Sequence, residues 1–406
     1  MNTDNLNLTR RVVVGVQFLF VAFGATVLVP LLVGLDPATA LFTAGIGTFI
    51  FHLVTKGKVP IFLGSAFIAP IIAATKEWGL SGALAGTIGV SLVYFVMSAL
   101  VKWQGKHLLN RLFPPVVIGP VIILIGLTLS GAGVNMAKTN WLLAAISLAT
   151  AIIVLTFGKG LIKLVPVVCG IVVGYIVAIC LNEVNFTAVK EASWLALPPS
   201  LAHFQLPEFK WQAVLFMIPV AIAPVIEHIG DVYVVGAVAQ KDFVKEPGLH
   251  RTLLGDGLAC LFASIFGGPP VTTYSEVTGA MSITKITSPA VIRISALTAV
   301  VFSVMGKLSA LLQSIPQAVL GGIMLLLFGT IASVGVQNLI QHKVDLNQTR
   351  NVIIISITLT VGIGGAVLTW GNFTISGIGL SALVGVILNL ILPQTKVEKT
   401  EEEKEA

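Results

Sequence analysis

The chain has 406 residues, 56% hydrophobic and 10% charged, with a formal net charge of +6. Soluble domains carry about 25% charged residues. With a mean hydropathy of +0.97, a large water-soluble fold is excluded and a multi-pass integral membrane protein is implied.

Asn2–Arg11 is short and polar, and the apolar run behind it is long enough to remain as a span, so no cleavable signal peptide is expected. Pro, Gly and charge then divide the chain into about fourteen segments near the length that crosses a bilayer. The first set is read at 12–34, 38–55, 60–75, 80–101, 114–131, 140–157 and 161–181. The second is read at 212–239, 252–267, 270–285, 289–306, 316–340, 351–368 and 374–393. The one long polar connection, Asn182–Lys210, separates them. The expected organisation is a seven-span repeat over 1–181, an extracytoplasmic loop over 182–210, a second seven-span repeat over 211–393, and a disordered charged cytoplasmic tail over 394–406. Cys169, Cys180 and Cys260 lie in apolar runs and read as small buried hydrophobes. No disulfide framework, metal site or other cofactor is expected.

Loop charge sets the orientation. With the N-terminus inside, 19 of the 24 Lys and Arg residues fall on the cytoplasmic side, among them Arg10, Arg11, Lys58, Lys241, Lys245 and Arg293. Both termini are therefore expected in the cytoplasm.

Two sets of seven imply halves inverted in the membrane, because an odd span count reverses the second half. Pro114–Gly119 (PPVVIG) resembles Pro316–Gly321 (PQAVLG), and Pro60–Lys76 (PIFLGSAFIAPIIAATK) resembles Pro269–Lys285 (PPVTTYSEVTGAMSITK). The third span of each half is short and rich in Pro, Gly and small polar residues. Irregular backbone at membrane depth is tolerated only inside protein or against a water-filled cavity. Each broken span is expected to be a short extended strand followed by a half-helix, with free N–H groups aimed at a central site. The predicted fold is thus an all-α integral membrane protein of about 14 transmembrane segments in two inverted repeats, with strands in spans 3 and 10.

Ionisable groups inside spans are costly and usually functional. The clear carboxylates are Glu227, Asp231 and Glu276. Glu227 and Asp231 are spaced i, i+4 and share a helix face, whereas His228 points about 100° away. Structural readings stand beside the functional ones: Glu227 and Glu276 as hydrogen-bond nodes between helices, Asp231 as a helix bridge, His228 as a packing contact, Phe67 and Tyr274 as ordinary span aromatics.

The motifs FGATVLVP, PIFLGSAF, FPPVVIGPVI, IEHIGD, KDFVKEPGLHR and GGPPVTTYSE…GAMSIT follow in order along almost the whole chain. Together they resemble the uracil permeases of the nucleobase–ascorbate transporter family. The resemblance implies a core domain of spans 1–4 and 8–11, a gate domain of the rest, and a base bound between them. It implies a uracil:proton symporter of the bacterial cytoplasmic membrane, working by alternating access, with uracil, protons and membrane lipid as partners and homodimers in several members. By position, Glu227 and Glu276 would hold the base, and Phe67, Tyr274 and Ser275 would line the site. Glu227, Asp231 and His228 are the candidates for proton coupling. The sequence departs from the family pattern at Phe18, Val277, Asp231 and Phe328, where His, Asn, His and Tyr are common.

A carboxylate accepts only, so it suits the ring N–H groups of uracil, and backbone N–H groups suit its carbonyls. Purine-transporting relatives often have Gln at the position of Glu276, so the acid favours uracil over xanthine. Three alternatives remain: a purine permease of the same family, an anion transporter of seven-plus-seven layout, and a membrane-embedded enzyme. The last is disfavoured, because the sequence shows no metal-ligand cluster, no phosphate-cradling loop and no nucleophile–His pair. No nucleic-acid partner is expected.

Overall fold

The computed structural model describes residues 7–32, 34–65, 68–105, 111–160, 162–202, 204, 206–370 and 373–393. Phe67 and the tail from residue 394 lie outside these, as do the side chains of Ser275 and Glu276.

The first half opens with α1 (Leu8–Leu32) and α2 (Pro37–Val54). Asp36 caps α2, its carboxylate accepting from the Ala38 amide, and Pro37 occupies the first helical position, where a missing N–H costs nothing. Strand β1 (Leu63–Ser65) leads into α3 (Ile68–Gln104). Gly79, at φ +71°, breaks α3, so its first three turns are a separate half-helix. Next come α4 (Pro115–Ala137), α5 (Trp141–Phe157) and α6 (Pro166–Cys180). The short helices α7 (Thr187–Glu191) and α8 (Pro199–Ala202) lie in the connector.

The second half begins with α9 (Trp211–Val220) and α10 (Ile222–Ala239), then α11 (Leu249–Ile265) and β2 (Val271–Thr273). It continues with α12 (Ser275–Thr284), α13 (Pro289–Ser303), α14 (Gly306–Gln313), α15 (Gln317–Gln341) and α16 (Thr349–Ile363). A hairpin of β3 (Val367–Trp370) and β4 (Phe373–Ser376) precedes α17 (Gly377–Ile391).

The segments read from the sequence overlap these elements, although 212–239 divides into α9 and α10 at Ala221. Among the described residues, α2, Glu77–Gln104 of α3, α4 and α15 are each long and apolar enough to cross a membrane. The pair α13–α14, bent by 83°, would make a fifth span. The protein is a multi-pass membrane protein. Two features differ from expectation. The β3–β4 hairpin takes the place of continuous helix, because Val367–Trp370 and Phe373–Ser376 are rich in β-branched and aromatic residues on either side of a Gly-Asn pair. The connector is less polar than it reads: Trp194, Leu195, Leu197 and Leu206 are all exposed.

Packing follows two groups. Helices α2, α3, α11 and α13, with α1 and α9, pack on one another around β1 and β2. Helix α4 packs along α15, with α5 and α6 beside α15 and α16 and α17 beside α4. Glycine permits the close α4–α15 contact: a Cβ on Gly126 would lie 2.5 Å from both the Ala332 nitrogen and the Phe328 oxygen.

Candidate functional site: the strand pair and helix α10

The centre of the first group is a two-stranded antiparallel sheet, one strand from each half. Leu63 pairs with Thr273, Gly64 with Thr272 and Ser65 with Val271, all six buried. Strands this short cannot hold themselves in place, and side chains of the surrounding helices anchor them. Thr48 Oγ1 of α2 accepts the Leu63 amide at 3.0 Å. Cys260 Sγ of α11 donates to the Val271 carbonyl at 2.9 Å. The Tyr274 hydroxyl donates to the Ser65 carbonyl at 2.7 Å, across from one half to the other. Gly64 makes room for that ring: a Cβ there would lie 2.2 Å from Tyr274 Cε2.

Tyr274 follows β2 and stands at the N-cap of α12, so Ser275 and Glu276 occupy the first turn of that helix. Their backbone N–H groups belong to the set with no partner inside the helix, at its positive end. Helix α10 packs against both β2 and α12. It brings Glu227 and Asp231, one turn apart, to the strand pair. Glu227 is exposed, whereas Asp231 is 6% exposed. Thr273 donates its hydroxyl to Asp231 Oδ2 at 2.6 Å. Asp231 is thereby joined to β2, one residue before Tyr274.

His228 faces elsewhere. It is fully buried between α10 and α11, with Nδ1 2.8 Å from Asp256 Oδ2 and Nε2 2.9 Å from Thr252 Oγ1. The Thr272 hydroxyl also points at Asp256 Oδ2, at 3.4 Å, and the Tyr94 hydroxyl lies 3.0 Å from Thr272 Oγ1. Asp256 is therefore the hub of a buried polar cluster on the back of the strand pair. Removing one partner of such a buried pair costs about 3–5 kcal/mol, because the other is left uncompensated.

The structure thus joins Asp231 to Thr273, next to Tyr274 and the start of α12, leaves Glu227 exposed one turn earlier on α10, and seals His228 against Asp256. Sequence reasoning missed Asp256, Thr273 and Tyr94. The signal for Asp256 was a carboxylate inside the apolar run 252–267. Among the described residues no group of three His, Cys, Asp or Glu side chains is placed to hold a metal ion.

The sequence matches the Permease family over residues 9–370. The chain belongs to that family. It is a transporter, and the membrane-embedded enzyme weighed from the sequence is set aside. The motif resemblance agrees with relatives that align with this permease almost end to end. A probable uracil permease of Haemophilus influenzae is 47% identical over 406 residues, covering 97% of both chains. The uracil permease of Bacillus caldolyticus is 45% identical over 413 residues, 97% of this chain and 96% of that one. The uracil permease of Escherichia coli K12 is 36% identical over 408 residues, 97% of this chain and 94% of that one. Among solved structures, the permease fold resembles the transmembrane domain of the cyanobacterial bicarbonate transporter BicA, with a TM-score of 0.66 at 19% identity, covering 94% of this chain and 97% of that one. It also resembles the murine Solute Carrier 26 family member A9 anion transporter in its inward-facing state. There the TM-score is 0.66 at 10% identity, and coverage is 95% of this chain and 68% of that one.

Proposed function

We propose that this protein is a uracil:proton symporter that imports uracil across the bacterial cytoplasmic membrane by alternating access. The observation that supports the reading is that α10, which carries Glu227 and Asp231, packs against β2 and α12, with Asp231 bonded to Thr273 beside Tyr274. The names of the relatives point to the same substrate.

Uracil presents N–H donors flanked by carbonyl acceptors. Glu227 and Glu276 accept the ring N–H groups, and amides of the α12 first turn donate to a carbonyl. Tyr274 and Phe67 supply apolar surface for the ring face. A group of this kind, donor against acceptor along one edge, rejects a ligand whose edge is reversed, because buried polar groups are then left unpaired.

Proton coupling falls to Glu227 and Asp231. Two carboxylates a turn apart in a low dielectric oppose simultaneous ionisation, so the pair is a place to hold one proton. The Thr273 hydroxyl connects Asp231 to β2 and so to Tyr274 and α12. A proton on Asp231 leaves Glu227 charged for the base, which makes proton and base favour the same state, as symport requires. His228, sealed against Asp256, holds α10 and α11 in register behind the site. Fourteen spans in inverted repeats fit the element order, and the two packing groups support a core domain that rocks against a gate.

Uptake of labelled uracil into cells tests the substrate. Unlabelled uracil blocks it far better than xanthine does. Saturable xanthine uptake that uracil leaves untouched would contradict the assignment and favour a purine permease.

A further inference from the structure

A cleft lies away from the strand pair, on the face that loop charge assigns to the cytoplasm. It has a volume of about 730 Å³ and is formed by three loops: 55–60 between α2 and β1, 240–248 between α10 and α11, and 285–289 between α12 and α13. Its walls carry Lys58, Lys241, Lys245 and Arg293 against only two carboxylates, Asp242 and Glu246.

The carboxylates are already engaged. Lys58 pairs with Glu246, and Lys245 lies 3.5 Å from Asp242. Lys58 holds the Glu246 carboxyl below the usual carboxylate range, so the two charges offset each other. Lys241 and Arg293 are left without a carboxylate partner among the described residues. Arg293 is also placed by the backbone. Gly57, at φ +63°, has no side chain, and a Cβ there would lie 2.9 Å from Arg293 Nη1. The guanidinium therefore lies against the 55–60 loop, although Arg293 as a whole is exposed. Cations that merely set orientation need only lie on the inner side; these converge from both halves of the chain on one hollow.

We infer that this cleft binds a phosphate-bearing anion between Lys241 and Arg293. Two unmatched cations balance a phosphate monoester, which carries about −1.5 to −2 at neutral pH. Arginine offers it a planar fork and lysine a point charge. The cleft volume, which exceeds what inorganic phosphate fills, accommodates a nucleoside monophosphate or a lipid headgroup. Its three loops lead directly into β1, out of the helix that carries Glu227, and out of α12. An anion here ties together the inner ends of the elements that build the transport site, so its binding slows their movement and with it uptake.

The test uses the full-length protein in phosphatidylcholine nanodiscs. Uridine monophosphate and inorganic phosphate are titrated in separate arms, and a third arm replaces part of the lipid with phosphatidylglycerol. Wild type binds at least one phosphate probe, more weakly as salt rises, or is thermally stabilised by phosphatidylglycerol. Lys241→Gln and Arg293→Gln each weaken this about tenfold, the size of one charge-assisted hydrogen bond. The double variant keeps wild-type uracil binding, which shows that it is folded. A response to soluble phosphate identifies a free ligand, and a response to phosphatidylglycerol alone identifies a headgroup. No response in any arm overturns the inference. So does equal binding by wild type and the double variant, or displacement of uridine monophosphate by uracil, which would put it in the transport site. Uracil affinity itself does not decide the matter, so this test and the substrate assignment fail independently.

Discussion

At the scale of single residues, the account rests on which atoms accept and which donate. Glu276 stands in the first turn of α12, where a carboxylate is also favoured by the helix dipole. Glu276→Gln keeps the shape and replaces an acceptor with a donor. Against a ring N–H this loses a buried hydrogen bond, about 1–3 kcal/mol. Uracil binding to the purified variant weakens tenfold or more, since each 1.4 kcal/mol is about tenfold. Unchanged affinity by calorimetry would make Glu276 structural. Asp231 is tested differently. Asp231→Asn preserves an acceptor for the Thr273 hydroxyl and removes a titratable site. The variant binds uracil and loses most of its dependence on an imposed pH gradient. Gradient-driven accumulation equal to wild type would leave coupling to Glu227 alone. Glu227, Asp231 and Glu276 stand out in the sequence because a carboxylate in an apolar run is costly and has few reasons to be there. Asp256 does not. It lies near the start of the run 252–267, five residues after Arg251, where a carboxylate can be read as belonging to the charged end of the span. Only the packing of α11 against α10 turns it into the buried partner of His228.

At the scale of elements, the strand pair decides the geometry. Thr, Ser, Gly and Pro in a span signal irregular backbone, so both strands and the half-helices behind them were readable in advance. Their register was not, because it depends on anchors from α2 and α11 that are distant in sequence. The β3–β4 hairpin escaped for the opposite reason: its residues are as apolar as the spans on either side. Gly64 marks the tightest point of the design. Gly64→Ala drives a methyl into the Tyr274 ring and breaks its hydrogen bond to Ser65. Overpacking of this kind costs about 1–3 kcal/mol. The variant melts at a lower temperature and binds uracil more weakly, with unchanged helix content by circular dichroism. A wild-type melting curve together with wild-type affinity would show that the ring is not held against the strand.

At the scale of the whole molecule, the fold alone does not name the cargo. The same architecture serves a bicarbonate transporter and an anion transporter at 19% and 10% identity. What sets this chain apart is chemistry near the strand pair, where Asp231 of α10 is bonded to Thr273 beside the start of α12. The helices fall into two packing groups, and the Asp231–Thr273 bond links a titratable group on α10 to β2. The central claim is that uracil and a proton move together. Purified protein in proteoliposomes, given labelled uracil and an imposed inward proton gradient, measures this directly. The account predicts transient accumulation of uracil above its external concentration, abolished by a proton uncoupler and strongly reduced by unlabelled uracil. Equilibration without accumulation, unaffected by the uncoupler, would contradict it and make the protein a facilitator instead.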